Sequence, residues 1–188
     1  MPSATATKSG APHLDSKMWN STDSRASTST DRTLALDHIG LIVPELATGR
    51  EFLATALGIT RWTPVTDDPT LQVSVQFGAA PGQPLIYELI APFGEQSPIA
   101  NALRSGKHIL NHLAYLTPSL ETSGDHLRAS GCYPTGDPLP ALAYQGRLVQ
   151  FWISPLRFVI ELIEKPGHRH NFTAPAAATS GKEPESAC

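Results

Sequence analysis

The chain has 188 residues, 40% of them hydrophobic, with a formal charge of −3 and a pI near 6.1. That is enough apolar material for one domain, or for two small similar ones sharing a core. Lys and Arg are scattered with no basic run, which argues against a nucleic-acid partner, and no apolar run nears the ~18–20 residues of a membrane span.

Residues 1–34 contain thirteen Ser or Thr and few apolar side chains, without period. Such a segment cannot bury enough surface to offset the entropy of ordering it, so a disordered N-terminal tail is expected. It has no secretory h-region. Asp15, Asp23 and Asp31 stand against Lys8, Lys17, Arg25 and Arg32, which disfavours a mitochondrial transit peptide without excluding it. Cys132 and Cys188 are too few and too far apart for a disulfide framework, so a reducing, cytoplasmic setting is expected.

The folded part, 35–167, opens on "LDHIGLIV" (36–43), an apolar strand interrupted by an aspartate and a histidine. Burying an imidazole there is unfavourable unless its nitrogens find partners. The stretch returns 74 residues later: "DHIGLIVPELATGREFLATALG" (37–58) lies without gaps over "NHLAYLTPSLETSGDHLRASGC" (111–132), setting His38 on His112 and Pro44 on Pro118. Each copy reads as a strand, a turn at the proline and a helix. Leu46, Phe52, Leu53 and Leu57 can share one face of the first helix; Leu120 and Leu127 do so in the second, with Gly131 as its stop.

Further on, "QVSVQFG" (72–78) matches "RLVQFWI" (147–153), and "LIYELIAP" (85–92) matches "FVIELIEKP" (158–166), setting Glu88 on Glu161. The expected fold is therefore α+β: two βαβββ modules, about 35–97 and 108–167, joined into one curved mixed sheet that encloses their open faces. Residues 168–188, rich in Ala, Pro and Ser, read as a C-terminal tail.

Strand alternation puts His38 with Leu36, Gly40 and Ile42, His112 with Leu110, Ala114 and Leu116, Glu88 with Ile86 and Ile90, and Glu161 with Val159 and Ile163. Each module thus offers one histidine and one carboxylate, alone among apolar neighbours. Singly, each is more often a hydrogen-bonded core histidine or a strand glutamate facing solvent. Together, at repeat-equivalent places, one divalent cation satisfies all four, and Zn, Ni, Co, Mn or Fe suits imidazole and carboxylate. Surface roles are expected for His13, His108, His126, His168 and His170.

Two βαβββ modules carrying His, Glu, His, Glu resemble the vicinal oxygen chelate superfamily, which includes glyoxalase I, methylmalonyl-CoA epimerase, extradiol dioxygenases and bleomycin-resistance proteins. The run "APFGEQSPIANALRSGKHILNHLAYLT" is similar to the epimerase branch. The resemblance implies His38, Glu88, His112 and Glu161 as metal ligands. Three departures stand out. Glu88 replaces the glutamine common in epimerases and matches glyoxalase I; Ser74 aligns with the epimerases' catalytic glutamate; and "SPLRF" (154–158) replaces the DPDG turn of glyoxalase I.

The resemblance implies an isomerase, epimerase or lyase that stabilises an enolate formed next to a carbonyl or thioester of a small-molecule substrate. Glu161 or Glu88 would be the base. Gln72, Ser74 and Gln76 would line the cup, with Tyr144, Arg147 and Gln150 before or on the matching strand and Arg147 able to hold an anionic group. A homodimer is compatible with this scheme. Two alternatives remain: a binding or resistance protein, whose relatives generally lose the ligands, and an extradiol-type dioxygenase, which uses two histidines and one carboxylate.

Overall fold

In the computed structural model, residues 34–106 and 110–173 are described. The expected tail 1–34 falls almost wholly outside them, as do His13, His108 and the chain beyond 173. No helix among the described residues is long and apolar enough to cross a membrane.

The first module runs β1 (Ala35–Ile42), α1 (Leu46–Leu57), the short β2 (Arg61–Trp62) and β3 (Thr66–Asp68), β4 (Val73–Ala79) and β5 (Ile86–Pro92). A short helix α2 (Ala100–Ser105) leads to the second: β6 (Leu110–Leu116), α3 (Leu120–Ala129), β7 (Tyr133–Pro134), β8 (Leu139–Ala141), a 3-10 turn (Leu142–Tyr144), β9 (Arg147–Ile153) and β10 (Val159–Ile163). Among the described residues, the ten strands form one sheet with main order β2-β4-β5-β1-β6-β10-β9-β7. β5 is parallel to β1 as β10 is to β6, and the modules meet where β1 pairs antiparallel with β6. The repeat is thus visible in the topology as a near-twofold arrangement. The α+β expectation and the curved mixed sheet of two modules are what the fold shows.

The helices cover one sheet face and leave the other concave. Leu53 of α1 packs with Ile59 and Leu89, flanked by Leu41, Val43 and Leu46. Leu120 and Leu127 of α3 pack with Trp152, Ile160 and Leu162. The concave face carries the larger cluster, including Ile42, Val73, Val75, Phe77, Ile90, Ala114, Tyr144, Val149 and Ile163. The face expected for α1 needs correction. Phe52 and Leu57 are exposed, at 67% and 53%, whereas Gly49 and Leu53 are buried. The helix sits too close to the sheet for two large side chains per turn. Gly49 makes that approach possible: a Cβ there would lie 2.9 Å from Val43 Cγ1 and 3.1 Å from Leu89 Cδ1. Gly124 does the same on α3, against Trp152. Gly58, at φ 67, ends α1 in the left-handed conformation that suits a residue without Cβ.

The chain stays docked past the tail boundary expected at 168. After Pro166 and Gly167 it crosses to the first module, where Thr173 bridges to Trp62. A segment without apolar period, opening on Pro-Gly, carries no strand or helix signal, which is why it reads as tail.

Gly49→Ala should destabilise the protein by about 1–3 kcal/mol through overpacking, although alanine is the better helix former. Urea unfolding tests this; a stabilised variant would mean that α1 does not sit on Leu89.

Candidate metal centre

The β1–β6 register assembles the centre. Gly40 pairs with His112, and His38 pairs with Ala114. Cross-strand partners share a face, so each imidazole lies over the small residue two places beyond the other histidine. A Cβ on Gly40 would overlap the His112 ring, and Ala114 is fully buried beside His38. On the outer flanks, Glu88 pairs with Gly40 and Glu161 with Ala114. Two rows across the sheet, Glu88–Gly40–His112 and His38–Ala114–Glu161, therefore converge on one point.

All four residues are buried, none more than 6% exposed. His38 Nε2 lies 2.8 Å from His112 Nε2, 3.1 Å from Glu88 Oε2 and 3.5 Å from Glu161 Oε2; His112 Nε2 lies 3.3 Å and 3.0 Å from the same two oxygens. Donors bound ~2.0–2.2 Å from one ion stand roughly 2.8–3.6 Å apart, depending on coordination geometry. The observed spacing fits a divalent metal, and the four form a group able to hold one.

Without a cation the cluster must hold protons instead. Two Nε2 atoms 2.8 Å apart cannot both present lone pairs. Burial disfavours charge on His38, yet the charge of Glu88 and hydrogen bonds to Asp37, Glu161 and Glu88 raise it well above 6.5. His112 is raised in the same way by Glu161, then Glu88. Burial also works against the carboxylates, but the charge of His38 and the hydrogen bond from His112 lower Glu88 to about 2, and His112 lowers Glu161.

Asp37 is the residue that sequence reasoning missed. Alternation would send it to the helix side, but β1 carries a bulge: Leu36 pairs with Tyr115 and His38 with Ala114, leaving Asp37 as an extra residue. A bulge re-aims a side chain. Asp37 Oδ2 accepts from His38 Nδ1–H at 2.9 Å and from the Tyr144 hydroxyl at 2.6 Å. Burial raises a carboxyl, but the bonds and charges of His170 and His38 hold Asp37 far below the usual range. Burial, then the charge of Asp37, raises Tyr144 well above 10, so it stays a donor. The available signal was an acid inside an apolar run.

A cavity of about 480 Å³ opens beside the centre, with Glu88, His112, Glu161 and Tyr144 in its lining. Val75, Ile90, Ile99, Phe151 and Val159 form apolar walls, and Thr70, Gln72, Gln96 and Thr135 add polar points. Gln72 adopts φ 55, a rare conformation for a residue with a side chain. Ser74 and Gln76 are not in this cavity. The β4–β5 register pairs Phe77 with Glu88 and Val75 with Ile90, so Ser74 and Gln76 face the helix side. Ser74 bonds Asp67, and Gln76 donates to the Thr63 carbonyl. The expected strand began at Gln72, whose positive φ lies just before β4 and breaks the alternation counted from it. Gln150 also points to the helix side and donates to the Gly136 carbonyl. Arg147 stands exposed at the start of β9, outside the lining.

The imidazoles of the metal-free protein gain from proton-bearing pairs. That stabilisation is complete below pH 6.5 on the histidine side and fades as pH rises toward their elevated folded values. On the Glu88 side it is complete above 4.5 and is lost as pH falls toward about 2. Metal needs unprotonated nitrogens, so its affinity should follow the opposite trend and rise with pH. Adding Zn(II) to weakly buffered, metal-free protein at pH 6 should release protons, measured with an indicator dye; binding without release would mean that the imidazoles were already neutral.

A family model described as the Glyoxalase/Bleomycin resistance protein/Dioxygenase superfamily matches residues 37–151. A comparison with curated proteins returns no match. Among solved structures, a hypothetical protein from Bacillus halodurans is 24% identical over 74% of this chain and 100% of its own, with a TM-score of 0.62. Methylmalonyl-CoA epimerase from Mycobacterium tuberculosis is 24% identical over 68% of this chain and 85% of its own, with a TM-score of 0.57. A methylmalonyl-CoA epimerase in complex with methylmalonyl-CoA and NH4+ is 18% identical over 74% and 100%, with a TM-score of 0.59. At such identities the likeness is one of fold. Matched by the family model over well over half its length and built on the same paired-module sheet, the chain belongs to the glyoxalase/bleomycin resistance protein/dioxygenase, or vicinal oxygen chelate, superfamily.

Proposed function

We propose that this chain is a metal-dependent enzyme of the glyoxalase/epimerase type, acting next to a carbonyl or thioester of a small molecule as an isomerase or lyase. The observation that carries this is the convergence of four buried donors, His38, Glu88, His112 and Glu161, beside an open, apolar-walled cavity. A divalent ion held there (Zn, Ni, Co, Mn or Fe) would supply Lewis-acid polarisation of a substrate oxygen. Glu161 or Glu88 is the group able to take the substrate proton, at a carboxylate oxygen that the ion would not hold. Val75, Ile90, Phe151 and Val159 present apolar surface around that transfer. Gln72 and Thr70 offer hydrogen bonds to orient the polar part of the substrate.

The complete donor set favours an enzyme over a binding protein, and the fourth protein ligand disfavours extradiol oxygenation. The rest of the lining favours one-base chemistry. Asp68 also touches the cavity, but its oxygens are engaged by the backbone N–H groups of Thr70, Leu71 and Leu142. β4 turns Val75 and Phe77 inward and carries no ionisable side chain, so it offers no second base. An epimerase must remove a proton from one face and return one to the other. A one-face transfer, an elimination or an addition suits these residues better.

Purified protein should hold about one divalent metal per chain, with His38→Ala and His112→Ala losing it. Equal metal content in all three by elemental analysis would reject the centre.

Methylmalonyl-CoA should be racemised little or not at all. Ser74→Glu should add nothing, because its side chain faces away from the cavity. Solvent deuterium incorporation followed by NMR tests both statements; exchange with racemisation by the wild type at an enzymatic turnover, on the order of 1–10³ s⁻¹, would contradict the one-base assignment.

A further inference from the structure

The segment after β10 makes contacts that a passing connection does not need. Gly167, at φ 71, turns the chain, and Thr173 anchors its far end by donating its N–H and hydroxyl to the Trp62 carbonyl, both at 2.9 Å. Phe172 lies under the Arg61 guanidinium, 4.9 Å from ring centre to Cζ. Between these points His170 packs on Phe77 with ring centroids 4.1 Å apart, and its side chain is only 3% exposed. Its Nε2 stands 2.9 Å from Asp37 Oδ2.

That oxygen therefore has three donors: His38 Nδ1–H from β1, the Tyr144 hydroxyl from the turn before β9, and His170 Nε2–H from the C-terminal strap. Each comes from a different part of the chain, so the carboxylate is held from three directions. A fixed Asp37 keeps the proton of His38 on Nδ1 and its Nε2 lone pair turned toward Glu88, His112 and Glu161. Such outer partners of a metal-binding histidine commonly change affinity 10–100-fold when removed.

We propose that His170 is a positioning residue of the metal centre, acting through Asp37 on the tautomer and ring orientation of His38, so that the strap over residues 166–173 belongs to the site. This rests on the metal reading of the four donors. A different arrangement of the same groups, Asp37, His38 and His170 binding a second ion, is tested alongside it.

The full chain is stripped with a chelator and reloaded with Zn(II) or Co(II), and affinity is measured by chelator competition for wild type, His170→Phe and His170→Gln. Phenylalanine keeps the ring on Phe77 but has no donor; glutamine keeps an N–H near the Nε2 position. The expected result is one metal per wild-type chain, a several-fold loss with His170→Phe, smaller than the roughly 10–100-fold that losing a direct histidine partner costs, near-recovery with His170→Gln, and an altered Co(II) absorption spectrum only in the phenylalanine variant. Thermal midpoints of the metal-free proteins control for folding. Equal affinity in wild type and His170→Phe overturns this proposal alone. So does equal loss in both variants, which would assign the effect to packing. Two metals per wild-type chain, one of them lost in both variants, makes His170 a ligand and overturns the positioning role. A wild type that takes up no metal overturns the metal reading and this proposal together.

Discussion

One antiparallel pairing, β1 against β6, decides almost everything about the centre. Because residues 38 and 40 face 114 and 112, two histidines that alternate with small residues can interleave rather than collide. Gly40 leaves the space that the His112 ring fills, and Ala114 leaves the space for His38. A shift of one residue would turn one histidine toward the helices, and a shift of two would set the rings against each other or apart. The outer strands then add one carboxylate each by parallel pairing. The modules do not merely sit side by side; neither contains a complete site.

The near-twofold relation explains why so much of this is legible in the sequence. Repeated strands report their register twice, and an offset of 74 or 73 residues fixes which positions correspond. His38, Glu88, His112 and Glu161 could be picked out because a lone ionisable residue in an apolar strand is costly and four at matched places are costlier still. The sheet order and the paired helices follow from the same repeat.

What escaped the sequence lies where local backbone breaks the period. The bulge at Asp37 and the positive φ of Gln72 each shift alternation by one, so simple alternation hides a buried acid and counts Ser74 and Gln76 as cavity residues. α1 was misjudged for a different reason. Hydrophobic periodicity credits large side chains, yet a helix lying this close to a sheet uses Gly49 as its contact, with Phe52 left outside. The C-terminal strap has no period at all. Its docking depends on particular partners, His170 on Asp37 and Thr173 on Trp62, which no pattern of residue types specifies.

The energetics point the same way. Burying ions costs several kcal/mol each unless partners compensate, and here Asp37, His38, Glu88, His112 and Glu161 are all buried together. A fold selected for stability alone would fill these places with valine and leucine, as it does on the neighbouring positions of the same strands. The bulge in β1, the glycine opposite His112 and the tyrosine hydroxyl on Asp37 each add local constraints to keep the charged groups in one arrangement. Local rules are broken together at a single place, and each break serves the same four donor atoms. That coincidence is a stronger argument for function than any one of the residues. It also makes the two halves interdependent, since a change at one histidine alters the room and the charge available to the other.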